Sequence, residues 1–346
     1  MTNKKHNINY LDQKLGNHDI VDYLKFLFAI CVVGIHSNIL EGSILYPCLF
    51  RIAVPYFFVA SGFFLGKKIW INISNPEYKW GGVFKRLIYK LLFFEPISIV
   101  LITIQLIRQG FNYNDITWQV IQHILFYPYG ALWYIQALIV AFFICIVFLK
   151  YFKIKWLIFF SIIFYGFALL CNNYYFFNDT LQSKPYVDFY LKLFISPRNG
   201  LLVGLLFVVI GIYISKNELL CIKHKSLNYL FLVISFILVI LEYFFLKDKG
   251  YADDGGLFLS YYILVPTIFI ISISFKANLK NAKFYRNLST SIYLIHRPIL
   301  MILVSFFFNF FSFTINSILA FSFTLVLSIF ISLLAYKNST LYKLLT

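Results

Sequence analysis

Ten apolar segments of roughly membrane-spanning length constrain this chain more than any other feature. They fall at about 21–40, 49–66, 87–107, 121–149, 155–172, 199–215, 227–246, 257–275, 288–310 and 315–336. A helix of about 20 mostly apolar residues crosses the hydrocarbon core of a bilayer. Only 13% of the residues are charged, about half of the share in a soluble domain. The sequence therefore predicts an all-α polytopic membrane protein with about ten transmembrane helices, the fourth of them long and kinked near residues 128–130.

The distribution of Lys and Arg predicts the orientation of these helices. If the N-terminus is cytoplasmic, the cytoplasmic loops hold about three times as many Lys and Arg residues as the outer loops, as the positive-inside rule requires. The net charge of +16 is then explained by topology, and we expect no nucleic-acid partner. Both termini are predicted to be cytoplasmic, with cytoplasmic tails at 1–19 and 338–346. The five cysteines form no Cys-x-x-Cys pair, and we expect neither a metal site nor a disulfide.

Ionisable residues inside the first span are the clearest candidates for function, because a charge in the bilayer is costly. Lys25 and His36 are eleven residues apart, about three helical turns or 16 Å, so they lie on one face. Asp22, three residues before Lys25, is within reach of an ion pair with it. A buried neutral His36 suits a general base acting on a hydroxyl. The alternative is a packed, hydrogen-bonded histidine with Lys25 as an interfacial anchor.

Two further clusters permit both functional and structural interpretations. At the start of the second span, Arg51 could contact an anionic group, while Ser61 and Gly62 favour close helix packing. The alternative there is a packing motif with an interfacial arginine. At the third span, Lys85, Arg86 and Lys90 form a basic opening that suits a phosphorylated ligand. Anionic lipid or topology explains these charges equally well, and from the residues alone topology is the preferred interpretation.

Aromatic and histidine residues in later spans complete the set of candidates. Trp133 and Tyr134 begin the main apolar run of the fourth span and indicate either an aromatic belt or the wall of a pocket. The ninth span contains Tyr293 and His296, the latter followed by an arginine and a proline. His296 could assist a site or form a structural hydrogen bond, and we favour the structural role.

At these positions the sequence resembles the family 3 membrane acyltransferases of bacteria. The resemblance covers nearly the whole chain in order, and its set of motifs is specific although each one alone is weak. The motifs are Asp22-x-x-Lys25 followed by ten residues and His36, the segment 54–62 ending in Ser61-Gly62, the basic Lys85-Arg86, Leu132-Trp133-Tyr134, Arg198-Asn199-Gly200 with Gly204 and Gly211, and Tyr293-x-x-His296-x-Pro298. Two departures are Lys25, where some members have arginine, and the spacing of four between Arg86 and Lys90, where the family has an arginine pair at three.

The resemblance implies a multi-pass enzyme of the bacterial cytoplasmic membrane, with residues 20–337 as its transmembrane acyltransferase domain. Such a protein takes an acyl group, usually acetyl, from cytoplasmic acyl-CoA and delivers it to a hydroxyl of an extracytoplasmic glycan or similar acceptor. By position, His36 matches the catalytic histidine and Lys25 its basic partner, near Asp22. Lys85, Arg86 and Lys90 match the coenzyme A site. Arg51, Ser61, Trp133, Tyr134, Tyr293 and His296 are expected to contact substrate or support the site.

Other functions remain open from the sequence. A transporter or flippase of a small polar molecule or envelope precursor is the main alternative, because transport has been assigned to some related membrane modules. A non-catalytic envelope scaffold is a third and would not require His36. The expected partners are membrane lipid, acyl-CoA and the hydroxyl acceptor, and self-association is left open. The acceptor and the acyl chain are not specified by any motif.

Overall fold

The structure, a computed structural model, describes residues 18–75, 77–252, 256–275, 277–304 and 316–345. All regular elements within these ranges are helices, which confirms the predicted all-α class. The helices of six or more residues are α1 (Asp19–His36), α2 (Ala53–Asn72), α3 (Gly81–Arg108), α4 (Tyr113–Leu125), α5 (Trp133–Tyr151), α6 (Ile154–Leu170), α7 (Lys184–Phe194), α8 (Leu205–Lys216), α9 (Glu218–Lys223), α10 (Lys225–Asp248), α11 (Tyr261–Ser274), α12 (Ala282–Ile302), α13 (Ser317–Lys337) and α14 (Ser339–Leu345). Three shorter helical segments are Tyr46–Phe50, Phe177–Thr180 and Gly200–Gly204. Most of the predicted tail 1–19, and the junction of the last two predicted spans at 305–315, lie outside the described residues.

Several of these helices are long and apolar enough to cross a membrane. Within the described ranges, five segments meet this criterion by length and composition, and three shorter apolar helices accompany them. The five are Tyr46–Asn72, Gly81–Arg108, Trp133–Tyr151, Lys225–Asp248 and Ser317–Lys337, and the shorter ones are Ile154–Leu170, Gly200–Lys216 and Tyr261–Ser274. These helices support a polytopic membrane protein. The helices α1 and α12, predicted as the first and ninth spans, carry more charged and polar side chains.

Helices α2 and α8 are in direct backbone contact at the centre of the bundle. A Cβ atom added to Gly62 would lie 2.1 Å from the Val208 carbonyl oxygen, and one added to Gly211 would lie 2.1 Å from the Val59 carbonyl oxygen. Small residues permit this approach, and close van der Waals packing stabilises helix pairs in lipid. The close packing predicted at Gly62 is confirmed.

Helices α1 and α12 lie side by side and run in the same direction. Near the start of both, Arg286 donates to the Asp22 carboxylate at 3.3 Å. One turn further on, the Ser289 hydroxyl donates to the Lys25 carbonyl at 2.9 Å. This pairing brings residues more than 260 positions apart in sequence into one part of the bundle.

The predicted fourth span, 121–149, is two separate helices rather than one kinked helix. The amphipathic helix α4 ends at Leu125, and α5 begins at Trp133. Between them Gly130 has a φ of 71°, in the left-handed region that glycine enters without strain, and Pro128 cannot donate a backbone hydrogen bond. Gln136 donates to the Leu125 carbonyl at 3.1 Å and holds the two ends together. The spanning part of the prediction is therefore α5 alone.

The C-terminal residues predicted as a tail form the short helix α14, which packs against α12. Asn287 donates to the Tyr342 hydroxyl at 2.5 Å, and the Leu345 side chain is buried in the core of the bundle. This contact places the end of the described chain beside the start of α12.

Candidate active site

A cavity of about 600 Å³, which we call the Lys25 cavity, opens near the start of α1. It is lined by side chains of α1, α2, α3, α5, α12 and α14. Six of its lining side chains are basic, and no Asp or Glu occurs among the described residues that line it. The basic residues are Lys25, Arg86, Lys90, Lys283, Arg286 and Lys343. Such a cavity favours an anionic ligand, and its volume is in the usual range for small-molecule sites.

A second cavity of about 680 Å³ lies beside the first, and we call it the Lys85 cavity. Its lining includes Lys85, Arg86, Lys90 and Lys343, of which the last three also line the Lys25 cavity. Of the basic residues predicted at the third span, Lys85 is therefore the one that faces only the Lys85 cavity. The structure brings the three predicted residues together, but Lys90 is buried whereas Lys85 and Arg86 are exposed.

Lys25 is held in place by contacts with its neighbouring helices. Its ammonium nitrogen lies 4.7 Å from the centre of the Phe64 ring on α2, a favourable cation–π distance. The ion pair that the structure gives to Asp22 is with Arg286, which lines the same cavity as Lys25. Asp22 therefore holds Arg286, a second cation of the cavity, in place, and is not an ion-pair partner for Lys25 alone.

The deep end of the Lys25 cavity is closed by aromatic residues. The rings of Phe57, Tyr134 and Tyr293 pack against one another at 5.3 to 6.0 Å between centroids. The hydroxyls of Ser61 and Tyr134 are 3.2 Å apart, and the Tyr293 hydroxyl donates to the Ala131 carbonyl at 2.6 Å. Tyr134 is thus a wall of the cavity, one of the two interpretations that the sequence allowed.

His36 ends α1 and lines two spaces on the far side of this aromatic wall. One is a cavity of about 470 Å³, the Arg108 cavity, which is also lined by Gln105, Arg108 and Arg297. The other is a small pocket of about 70 Å³, the Arg51 pocket. Its lining includes Arg51, Trp133, Arg198 and Tyr293. Tyr293 therefore contacts both the Lys25 cavity and a pocket that contains His36.

His296 packs directly against His36. Their ring centroids are 5.2 Å apart, and the Tyr293 ring is 5.9 Å from that of His296. Nδ1 of His296 lies 3.0 Å from the Ile292 carbonyl of its own helix. Because a carbonyl only accepts, Nδ1 carries the hydrogen and Nε2 is left as an acceptor. Nε2 is buried and has no hydrogen-bond partner in the described part of the chain.

Several cations of the site were not predicted as site residues from the sequence. Arg286, Lys283 and Lys343 were counted only as loop charges, and Arg297 only as a neighbour of His296. In the structure the Arg297 guanidinium lies 5.6 Å from the centre of the Tyr129 ring and lines the Arg108 cavity. The sequence feature that could have indicated these residues is an excess of Lys and Arg close to the ends of α12. The positive-inside rule explained this excess equally well.

A family model described as an acyltransferase domain, Acyl_transf_3, matches residues 18–337. The chain belongs to acyltransferase family 3. The chain therefore contains an acyltransferase family 3 domain together with apolar helices long enough to cross a membrane. No solved structure matches this family 3 chain.

Curated relatives of this acyltransferase family 3 protein include racemases. An amino-acid racemase of Enterococcus faecalis is 24% identical over 328 residues, which cover 89% of this chain and 44% of that protein. A serine/alanine racemase of Enterococcus gallinarum is 24% identical over 288 residues, which cover 80% of this chain and 40% of that protein. The chain thus spans less than half the length of these relatives.

Proposed function

We propose that this protein is an O-acyltransferase that moves an acyl group, acetyl in the simplest case, from cytoplasmic acyl-CoA to a hydroxyl on the outer side of a bacterial cytoplasmic membrane. The acceptor class is a cell-surface glycan or a similar hydroxyl compound. In this proposal ten helices span the membrane and both termini are cytoplasmic. The parallel course of α1 and α12 supports this topology, because the first and ninth of ten spans must run in the same direction.

The observation that carries the proposal is the position of Tyr293 between two chemically different spaces. On one side is the Lys25 cavity, whose six basic side chains suit the phosphates of coenzyme A. On the other is the pocket that contains His36, the candidate base. An acyl donor has a phosphorylated head group and a long arm. It fits a site that has Lys and Arg side chains at its opening and a candidate general base beyond its closed end.

The chemistry follows from this arrangement. His36 accepts the proton of the acceptor hydroxyl as the hydroxyl oxygen attacks the thioester carbonyl carbon. The C–S bond then breaks, and the leaving thiolate takes the proton back from His36. Arg86 and Lys90 hold the phosphates, so the binding energy of a remote group orients the thioester. Formation of an acyl-His36 intermediate is the alternative route through the same residue.

The roles of the remaining predicted residues follow their positions. Ser61 and Tyr134, hydrogen-bonded to each other at the aromatic wall, are the proposed donors to the developing oxyanion. Arg51 lies 4.9 Å from the centre of the Tyr46 ring and lines the Arg51 pocket with His36. We assign to it the binding of an anionic or polar group of the acceptor.

Acyl transfer from radiolabelled acetyl-CoA into membrane material tests this proposal. Loss of transfer is expected for His36→Ala, with the protein still present in the membrane. His224→Ala is the matched control, because His224 is exposed between α9 and α10. Transfer by His36→Ala at the wild-type rate would contradict the mechanism. Label trapped on wild-type protein and absent from His36→Ala would select the acyl-histidine route.

Transport is the second candidate, since two spaces separated by one aromatic wall also suit a substrate that passes through. It is favoured if purified protein fails to bind coenzyme A and vesicles that contain it take up a polar solute. Binding of coenzyme A together with transfer to an acceptor outside the vesicle excludes a pure transporter.

A further inference from the structure

The C-terminal helix α14 contributes a basic side chain to both cavities at the start of α1. Lys343 lines the Lys25 cavity and the Lys85 cavity, and so do Arg86 and Lys90 of α3. These three are the basic residues shared by the two linings. They therefore lie where the two spaces join, with Lys343 contributed by α14 and the other two by α3.

The position of Lys343 is set by an anchored helix. Tyr342, the preceding residue, accepts a hydrogen bond from Asn287 of α12 at 2.5 Å and packs its ring 5.0 Å from that of Tyr336. Two residues beyond Lys343, Leu345 is 6% exposed, and its carbonyl accepts from the Ser291 hydroxyl at 3.4 Å. Buried contacts on both sides of Lys343 hold its backbone beside α12 while its side chain reaches the cavities.

The family match ends at residue 337, so α14 lies beyond the matched domain. The role of Lys343 is therefore a property of this chain rather than of the matched part of its sequence. The two linings contain no Asp or Glu among their described residues, and Arg86, Lys90 and Lys343 line both cavities. Clustered cations of this kind bind phosphate, in which a guanidinium can form paired hydrogen bonds and an ammonium acts as a point charge.

We propose that Lys343 joins Arg86 and Lys90 at the junction of the two cavities, and that it too contacts phosphates of the nucleotide part of the acyl donor. The inference rests on the proposed function and adds α14 to its donor site. A phosphate of a lipid headgroup has the same chemistry. The donor is the favoured ligand because the junction opens into the Lys25 cavity, which leads toward Tyr293 and His36.

Donor analogues with and without phosphates separate a phosphate contact from a general structural effect. The test uses the full chain in phosphatidylcholine nanodiscs, with acetyl-CoA and acetyl-pantetheine as donors; acetyl-pantetheine has no phosphate. Lys343→Gln should raise KM for acetyl-CoA about three- to tenfold, with kcat unchanged. Its kcat/KM for acetyl-pantetheine should equal that of the wild type. Lys337→Gln is the matched control, since Lys337 is an exposed lysine of the same region outside both linings.

Three other results would overturn the phosphate site, its assignment to the donor, or both proposals. An equal loss with both donors, or no difference from Lys337→Gln, overturns the phosphate site while leaving the proposed function intact. An effect that appears only when phosphatidylglycerol is present assigns the site to a lipid headgroup and overturns the donor contact. A wild-type protein that neither binds coenzyme A nor transfers its acetyl group overturns both the proposed function and this inference.

Discussion

His36 and His296 lie on adjacent parallel helices with ring centroids 5.2 Å apart. The contact joins the candidate base to a fully buried imidazole whose Nδ1 is committed to the Ile292 carbonyl. His296 therefore has a fixed orientation, and it limits the positions that the His36 ring can adopt. We therefore infer that His296 is a positioning residue for His36.

His296→Phe should lower acyl transfer about tenfold, because it keeps a ring at this position but removes both nitrogens. His36→Ala should lower transfer at least a hundredfold, as expected for loss of a general base. The double variant should be no slower than His36→Ala, since His296 acts through His36. Rates measured at several pH values provide the check, because His296→Phe should also displace the pH profile. Additive losses with an unchanged profile would show that His296 acts on its own.

Replacement of Tyr293 should change the ratio of acetyl-CoA hydrolysis to acyl transfer. Tyr293→Ala removes a ring that separates the Lys25 cavity from the Arg51 pocket, so water should compete with the acceptor and the ratio of acetyl-CoA hydrolysis to transfer should rise. Tyr293→Phe keeps the ring and loses the bond to the Ala131 carbonyl, at a cost of about 1 kcal/mol. Thiol release and acceptor acylation measured in parallel give the ratio. An unchanged ratio in Tyr293→Ala would mean that Tyr293 is not the barrier.

The basic residues of α3 should differ in their effect on donor binding. Arg86 lines both the Lys25 and the Lys85 cavity, whereas Lys85 lines only the latter. Arg86→Gln should therefore raise KM for acetyl-CoA about tenfold, and Lys85→Gln about twofold. Both variants remove one positive charge from the same helix, so each is a control for the other. Equal effects would indicate that net charge, and not the position of the side chain, governs binding.

The contact between α2 and α8 should make Gly62 sensitive to a single methyl group. Gly62→Ala places a Cβ 2.1 Å from the Val208 carbonyl oxygen and should destabilise the fold by about 1–3 kcal/mol. Gly166→Ala in α6 is the matched control, because nothing lies within 4 Å of its added Cβ. Thermal unfolding in detergent, followed by loss of monodisperse protein, measures the difference. A Gly62→Ala protein as stable as Gly166→Ala would contradict the packing.

The features that sequence analysis predicted correctly are those that depend on neighbours along the chain. Segment hydropathy predicted the helices, and the period of α1 placed Lys25 and His36 three turns apart. The fourth predicted span shows the limit of this approach: α4 is apolar on one face, and its last residues joined the apolar run of α5. The break between them depends on backbone angles at Gly130, which hydropathy does not report.

By itself the sequence determined an apolar helical chain and, within one helix, the separation between a cation and a histidine. This is so because helix rise and hydropathy are local properties. Only the packing of the helices shows that Arg286 pairs with Asp22, that His296 packs on His36, and that Lys343 lines a cavity together with Arg86 of α3. These contacts join residues hundreds of positions apart, and they depend on which helix faces fit together. In a membrane that choice is made by close packing at residues such as Gly62 and Gly211, because an apolar surface gains little by leaving lipid for another apolar surface.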